Sequence, residues 1–139
     1  MDEQRRPVAI WLRLARVFHK VDHASIEQMR GWDLSLAQFD VLARVGASEG
    51  ITQQQLADRL LVTKGNICQL LDRMEARGLL ERRQEGRANR IFLTEAGQTL
   101  WHQAVPAHEA LIGELMGALS PGEQAELLPL VRKLDHALN

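Results

Sequence analysis

The chain of 139 residues has one cysteine, Cys68, so it cannot close a disulfide within itself, and a reducing cytoplasm is its expected compartment. It contains no apolar run near the ~20 residues that a bilayer crossing needs. The opening Met1 to Arg6 is charged, but the apolar stretch after it is interrupted at Arg13 and Arg16, so neither a signal peptide nor a membrane partner is expected. There is no glycine-rich phosphate loop, no nucleophile elbow, and no carboxylate or His/Cys arrangement suited to catalysis, which argues against an enzyme. There is also no CxxC. His19 and His23 stand four apart on a helical stretch, with His102 and His108 further on, yet structural zinc usually wants four ligands. These histidines are read as surface or interface residues, and no metal or cofactor is expected. Repeats and low-complexity tracts are missing too.

What the sequence does have is charge sorted along its length. The net charge is -1, but between Ile51 and Thr94 there are eight Lys/Arg against five Asp/Glu. From Glu95 onward six acidic residues face two basic ones. A local basic surface is what contact with a polyanion needs, whatever the total.

Helix punctuation is clear. Ser35 with Gln38, Thr52 with Gln55, and Ser120 with Glu123 fit the capping-box spacing, and Pro121 fills the first helical position of the third. Thr63 and Thr94 are further N-cap candidates. Gly46, Gly50 and Gly78 sit where helices are expected to stop. Apolar spacing then predicts helices over about 7–30, 36–47, 53–60, 64–77, 95–117 and 121–137. Two β-capable runs, 79–83 and 90–94, flank a six-residue polar tip from Gln84 to Asn89, which is a hairpin signal. The expected class is mainly α (α+β), with a two-stranded wing behind a helix-turn-helix.

The third and fourth helices are joined by the short turn Leu61-Val62-Thr63. On a helical wheel Ile67, Leu70, Leu71 and Met74 of the fourth helix form one apolar face. The opposite face gathers Gly65, Gln69, Asp72 and Ala76, flanked by Asn66, Cys68 and Arg73. A slim, donor-rich face of this kind suits a DNA major groove, although a merely solvated helix gives the same wheel. The turn in front and the hairpin behind favour the groove. The expected DNA-contacting residues are Thr52, Gln53, Thr63, Lys64, Gly65, Asn66, Gln69, Arg73, Arg82 and Arg87. Arg82, Arg83 and Arg90, lower on the strands, are expected to face phosphates or solvent.

The stretches 34–42, 52–57, 71–82 and 93–97 resemble those of the MarR (multiple antibiotic resistance regulator) family, and the similarity runs over about residues 8 to 138. The resemblance implies a cytoplasmic transcriptional regulator that binds double-stranded, pseudo-palindromic operator DNA as a homodimer. It would be a repressor released by a small aromatic or anionic effector, the alternative being a metal- or redox-sensing winged-helix regulator. It further implies one domain over 1–139, with a lobe at about 32–95 and dimerisation helices at about 7–30 and 96–138. Where the family wing carries Asp-x-Arg, this chain has Glu85-Gly86-Arg87, so Arg87 is carried over as the minor-groove contact. Trp11, Arg13, Arg16 and Phe39 are candidates for an effector pocket, with Trp32, Trp101 and Phe18 as further aromatic candidates, although aromatic residues at helical spacing are more often core. Cys68 is expected to be a small, semi-buried packing residue rather than a redox switch.

Overall fold

The computed structural model describes residues 2–60 and 64–139; Thr63 and the side chain of Lys64, both expected at the DNA face, lie outside the described residues. The elements in chain order are α1 (Arg6–Met29), a 3-10 turn (Arg30–Trp32), α2 (Leu36–Ala47), β1 (Ile51–Thr52), α3 (Gln53–Leu60), α4 (Lys64–Ala76), β2 (Leu80–Glu85), β3 (Ala88–Leu93), α5 (Glu95–Met116) and α6 (Pro121–Ala137). The chain divides into two units, residues 1–108 and 109–139. Among the described residues no helix is long and apolar enough to cross a membrane.

In the first unit the helix starts follow local chemistry. Ser35 Oγ accepts from the Gln38 backbone while Gln38 Oε1 accepts from the Ser35 N–H, and Thr52 and Gln55 repeat the exchange at the start of α3. Thr94 Oγ1 accepts from Gly97 N at 3.1 Å and so caps α5. Gly50 and Gly78 turn with φ of +88° and +73°, as expected of residues that end helices. Gly46 does not end one. It lies inside α2, where the Trp101 indole rests against its backbone and a Cβ would collide with the ring. A distant partner selects this glycine, and the local sequence carries no trace of it.

The core of this unit is built from Met29 on α1, Val41, Leu42 and Val45 on α2, Leu56 on α3, Ile67, Leu71 and Met74 on α4, and Leu80 and Ile91 on the strands. Full burial of each such side chain stabilises by about 1.5–3 kcal/mol. The wing differs from expectation in two ways. It is three-stranded in the order β1-β3-β2, because Ile51 pairs with Ile91 and Thr52 with Arg90. The hairpin also stays paired out to Glu85 and Ala88, which leaves a two-residue loop, Gly86-Arg87, in place of a six-residue tip. Gly86 makes that turn with φ +61°. A two-residue strand is too short to show periodicity, and polar composition does not reveal cross-strand pairing.

In the second unit, α6 starts at a capping box between Ser120 and Glu123. Gln124 Nε2 donates to the carbonyls of Met116 and Leu119 and fastens the turn before it. None of the α6 side chains is buried.

Candidate nucleic-acid interface

α4 is divided as the wheel requires. Ile67, Leu71 and Met74 are wholly buried, whereas Gly65, Asn66, Cys68, Gln69, Asp72 and Arg73 are exposed. Cys68 is therefore not semi-buried: it stands on the open side of the helix. Facing it across a groove of about 530 Å³ is the wing tip, and Thr52, Gln53, Gln54, Ile67, Cys68, Arg87, Ala88 and Asn89 line the space. Of the residues expected at the DNA face, Thr52, Gln53 and Arg87 thus share one concavity, with Gln69 beside it on the open face of α4. Arg87 is exposed at the two-residue turn, and the side-chain-free Gly86 precedes it.

The strand arginines are more tied down than the sequence suggested. Arg82 is held by Asp72 and by Glu75, the latter at 3.3 Å, and its side chain is only 18% exposed. Burial alone would favour its neutral form, but the hydrogen bonds and charges of Glu75 and Asp72 outweigh that and raise its pKa above the ordinary value. Arg82 thus braces the base of the wing on α4. Arg83 lies over the Phe92 ring at 4.3 Å and pairs with Glu81. Arg90 pairs with Glu85 at 2.8 Å and donates to the Gly50 carbonyl. Glu85, which stands where the family wing carries its Asp, therefore holds Arg90 rather than Arg87.

The candidate effector residues do not converge within one chain. Trp11, Arg13, Arg16 and Phe18 are exposed on α1, whereas Phe39 is buried in the core and Trp101 packs on Gly46. The groove beside Arg13 is lined by α1 residues only. Sequence reasoning missed a polar junction between α1, α2 and α5. Here buried Ser25 Oγ lies 3.1 Å from His108 Nε2, Phe39 stacks on His108 at 4.6 Å, and Gln28 Nε2 donates to the Ala107 carbonyl. Gln28 Oε1 is buried there with no hydrogen-bond partner among the described residues. Only a lone buried serine flanked by apolar residues could have hinted at the junction. Among the described residues no three His, Cys, Asp or Glu side chains gather as a metal site would require.

Asp40, at the edge of this junction, has its carboxyl pushed above the ordinary 3.8 by desolvation, against the pull of His108 and Arg44 and with Asp22 adding to the rise. A raised carboxylate pKa means that folding favours the protonated form. Its stabilising contribution is complete below about pH 3.8 and is lost as pH rises through the folded value. Asp40 is exposed, so water screens most of this effect and the ionised group costs little at neutral pH. Asp40→Asn should therefore raise Tm at pH 7 only slightly, and the gain should shrink as pH falls toward 4. A gain that does not vary with pH, measured by calorimetry, would contradict this origin.

Comparison with known proteins agrees with this geometry. Residues 32–91 match the model of the MarR family. An HTH-type transcriptional regulator of Bacillus cereus is 35% identical over 90% of this chain and 86% of its own length. The transcriptional regulator HosA of Escherichia coli is 29% identical over 88% of this chain and 96% of its own. Among solved structures, a mutant MarR from E. coli complexed with operator DNA superposes with a TM-score of 0.83 at 27% identity, covering 96% of this chain and 99% of that one. The chain belongs to the MarR family of winged helix-turn-helix transcriptional regulators.

Proposed function

We propose that this regulator works as a homodimer on a two-fold, pseudo-palindromic operator, acting in the cytoplasm as a repressor released by a small aromatic or anionic effector. The observation that carries the DNA-reading part is the groove in which exposed Arg87 on the wing faces the exposed side of α4. In this reading α4 enters the major groove, with Gln69 and Asn66 suited to reading adenine edges. Thr52 already accepts a backbone N–H, and its hydroxyl proton remains to donate to a phosphate. Arg73 and Lys64 add positive charge along the same helix. Arg82 contributes indirectly, by holding the wing.

The two-fold symmetry rests on unpartnered apolar faces. In the first unit Val8, Ile10, Trp11, Leu12, Val17 and Phe18 on α1 are exposed; in the second, Leu127, Leu128, Leu130, Val131 and Leu134 on α6 are exposed. Patches of that kind mark an interface. The terminal helices, about 7–30 and 96–138, supply it in this proposal, and the lobe at about 32–95 reads the DNA. The effector belongs near the polar junction, where buried Gln28 Oε1 needs a donor. Of the four pocket candidates only Phe39 borders that place.

The operator is found by selecting bound sequences from a random DNA pool, with half-sites expected about 10 bp apart. On it, Arg87→Ala should weaken binding, lower the salt slope by about one, and hurt sites with A·T flanks more than sites with G·C flanks. Dimerisation and thermal stability should not change. Unchanged gel-shift affinity at every salt concentration would remove the wing from the interface.

A further inference from the structure

Gln53, the first residue of α3, uses both ends of its side-chain amide inside the protein. Its Oε1 accepts from Asn89 Nδ2 at 3.3 Å, and its Nε2 donates to Cys68 Sγ at 2.8 Å. Asn89 lies on β3, two residues beyond Arg87, and Cys68 lies on α4, next to Gln69. One side chain therefore ties together the wing, the first helix of the pair and the second. Besides this bridge the outer wing is tied to the body by Arg90, which pairs with Glu85 and donates to the Gly50 carbonyl; Gln84, Glu85, Gly86 and Arg87 are exposed, while Asn89 is half-buried where it meets Gln53. The carboxylate brace on Arg82 acts lower down, at the base of the hairpin.

We propose that Gln53 is a positioning residue rather than a reader of bases, and that its amide bridge sets the wing tip at a fixed distance and angle from the open face of α4. The inference deepens the DNA-binding reading above and rests on it. A glutamine at the start of this helix would ordinarily be assigned to the nucleic acid, but here the oxygen and one N–H are engaged internally, so the amide is held in one orientation by the protein and keeps a single N–H and one lone pair for anything else. What it supplies is preorganisation. A hairpin this small is mobile unless fastened, and any angle it must give up on binding weakens the complex. With the bridge in place, Arg87 and Gln69 are presented to adjoining grooves together, so their contributions should depend on one another.

The test uses the full chain and an operator selected with the unaltered protein. Gln53→Ala and Asn89→Ala should each weaken binding by about three- to tenfold, the loss of one net hydrogen bond. The double variant should be no weaker than either single one, because each breaks the same bridge. Base preference at every operator position should stay as it was. Arg87→Ala in the Gln53→Ala background should cost at least about threefold less than in the unaltered protein, whereas independent sites multiply. Relaxed preference at one base position in Gln53→Ala, with Asn89→Ala harmless, would show that Gln53 reads DNA and would overturn the proposal. Fully multiplicative effects would also overturn it. A second measurement needs no DNA: amide hydrogen exchange over residues 84–90 should quicken equally in both single variants. Unchanged exchange there would refute the bridge even if the operator is bound as expected. Failure of the unaltered protein to select any DNA would count against the DNA-binding reading, with exchange still judging the bridge.

Discussion

Removing residues 121–139 should abolish operator binding and yield monomers or insoluble protein. α6 carries Leu127, Leu128, Leu130, Val131 and Leu134, each at least 41% exposed in the single chain, and buries none of its own residues. A helix with so much open leucine is stable in water only when something covers it, and most of its helical stability must come from that cover. Each leucine or valine returned to an interface contributes about 1.5–3 kcal/mol. A gentler variant separates assembly from folding. Leu130 is 62% exposed, so Leu130→Glu places a carboxylate where the single chain has no packing to lose. It should fold with its Tm measured as a monomer, sediment at half the native mass, and lose the gel shift. A Leu130→Glu protein that remains a dimer would place the interface elsewhere.

Gly97→Ala should destabilise the fold by about 3 kcal/mol or more, at the upper end for overpacking. Intrinsic propensity points the other way, since alanine is better than glycine inside a helix by about 1 kcal/mol. The structure decides the sign. Gly97 is buried near the start of α5 with the Leu79 carbonyl pressed against it, so a Cβ would strike backbone, which has no rotamer to yield, with Leu93 Cβ only 3.3 Å away. A drop in Tm on the order of 10 °C is expected for a chain of this size. Gly65 on α4 makes the contrast, because among the described residues nothing lies within 4 Å of a Cβ there. Gly65→Ala should gain up to about 1 kcal/mol of stability and, if DNA comes close to that backbone, bind less tightly. Thermal melts and gel shifts on the two variants would separate these effects. A neutral Gly97→Ala would mean that α5 and the Leu79 carbonyl can part without cost.

The parts of this molecule that were legible in its sequence are those determined by near neighbours. Ser35 with Gln38 and Ser120 with Glu123 lie three residues apart, so the box they form is visible in one line of text. The buried stripe of Ile67, Leu71 and Met74 follows from a period that the chain itself carries. Gly46 was misread because its partner, Trp101, lies on another helix. The wing tip was misread because strand pairing, rather than composition, determines where a hairpin ends. Arg82 was expected at phosphates or solvent, while its carboxylate partners Asp72 and Glu75 sit on the preceding helix, where sequence distance hides the ion pair. Cys68, at the flank of the polar face, was expected to be a semi-buried packing residue; here it stands exposed.

The division of α4 has an evolutionary consequence. The residues that hold the helix in place, Ile67, Leu71 and Met74, have no exposure, and those turned outward, such as Gln69 and Arg73, support nothing in the core. Exposed substitutions of this kind usually change stability by within about 0.5 kcal/mol. On the proposed reading of that face as the DNA reader, lineages can drift from one operator to another through viable intermediates, without a compensating change in the core at each step. Asp72 is less free to vary, because the arginine it holds steadies the wing.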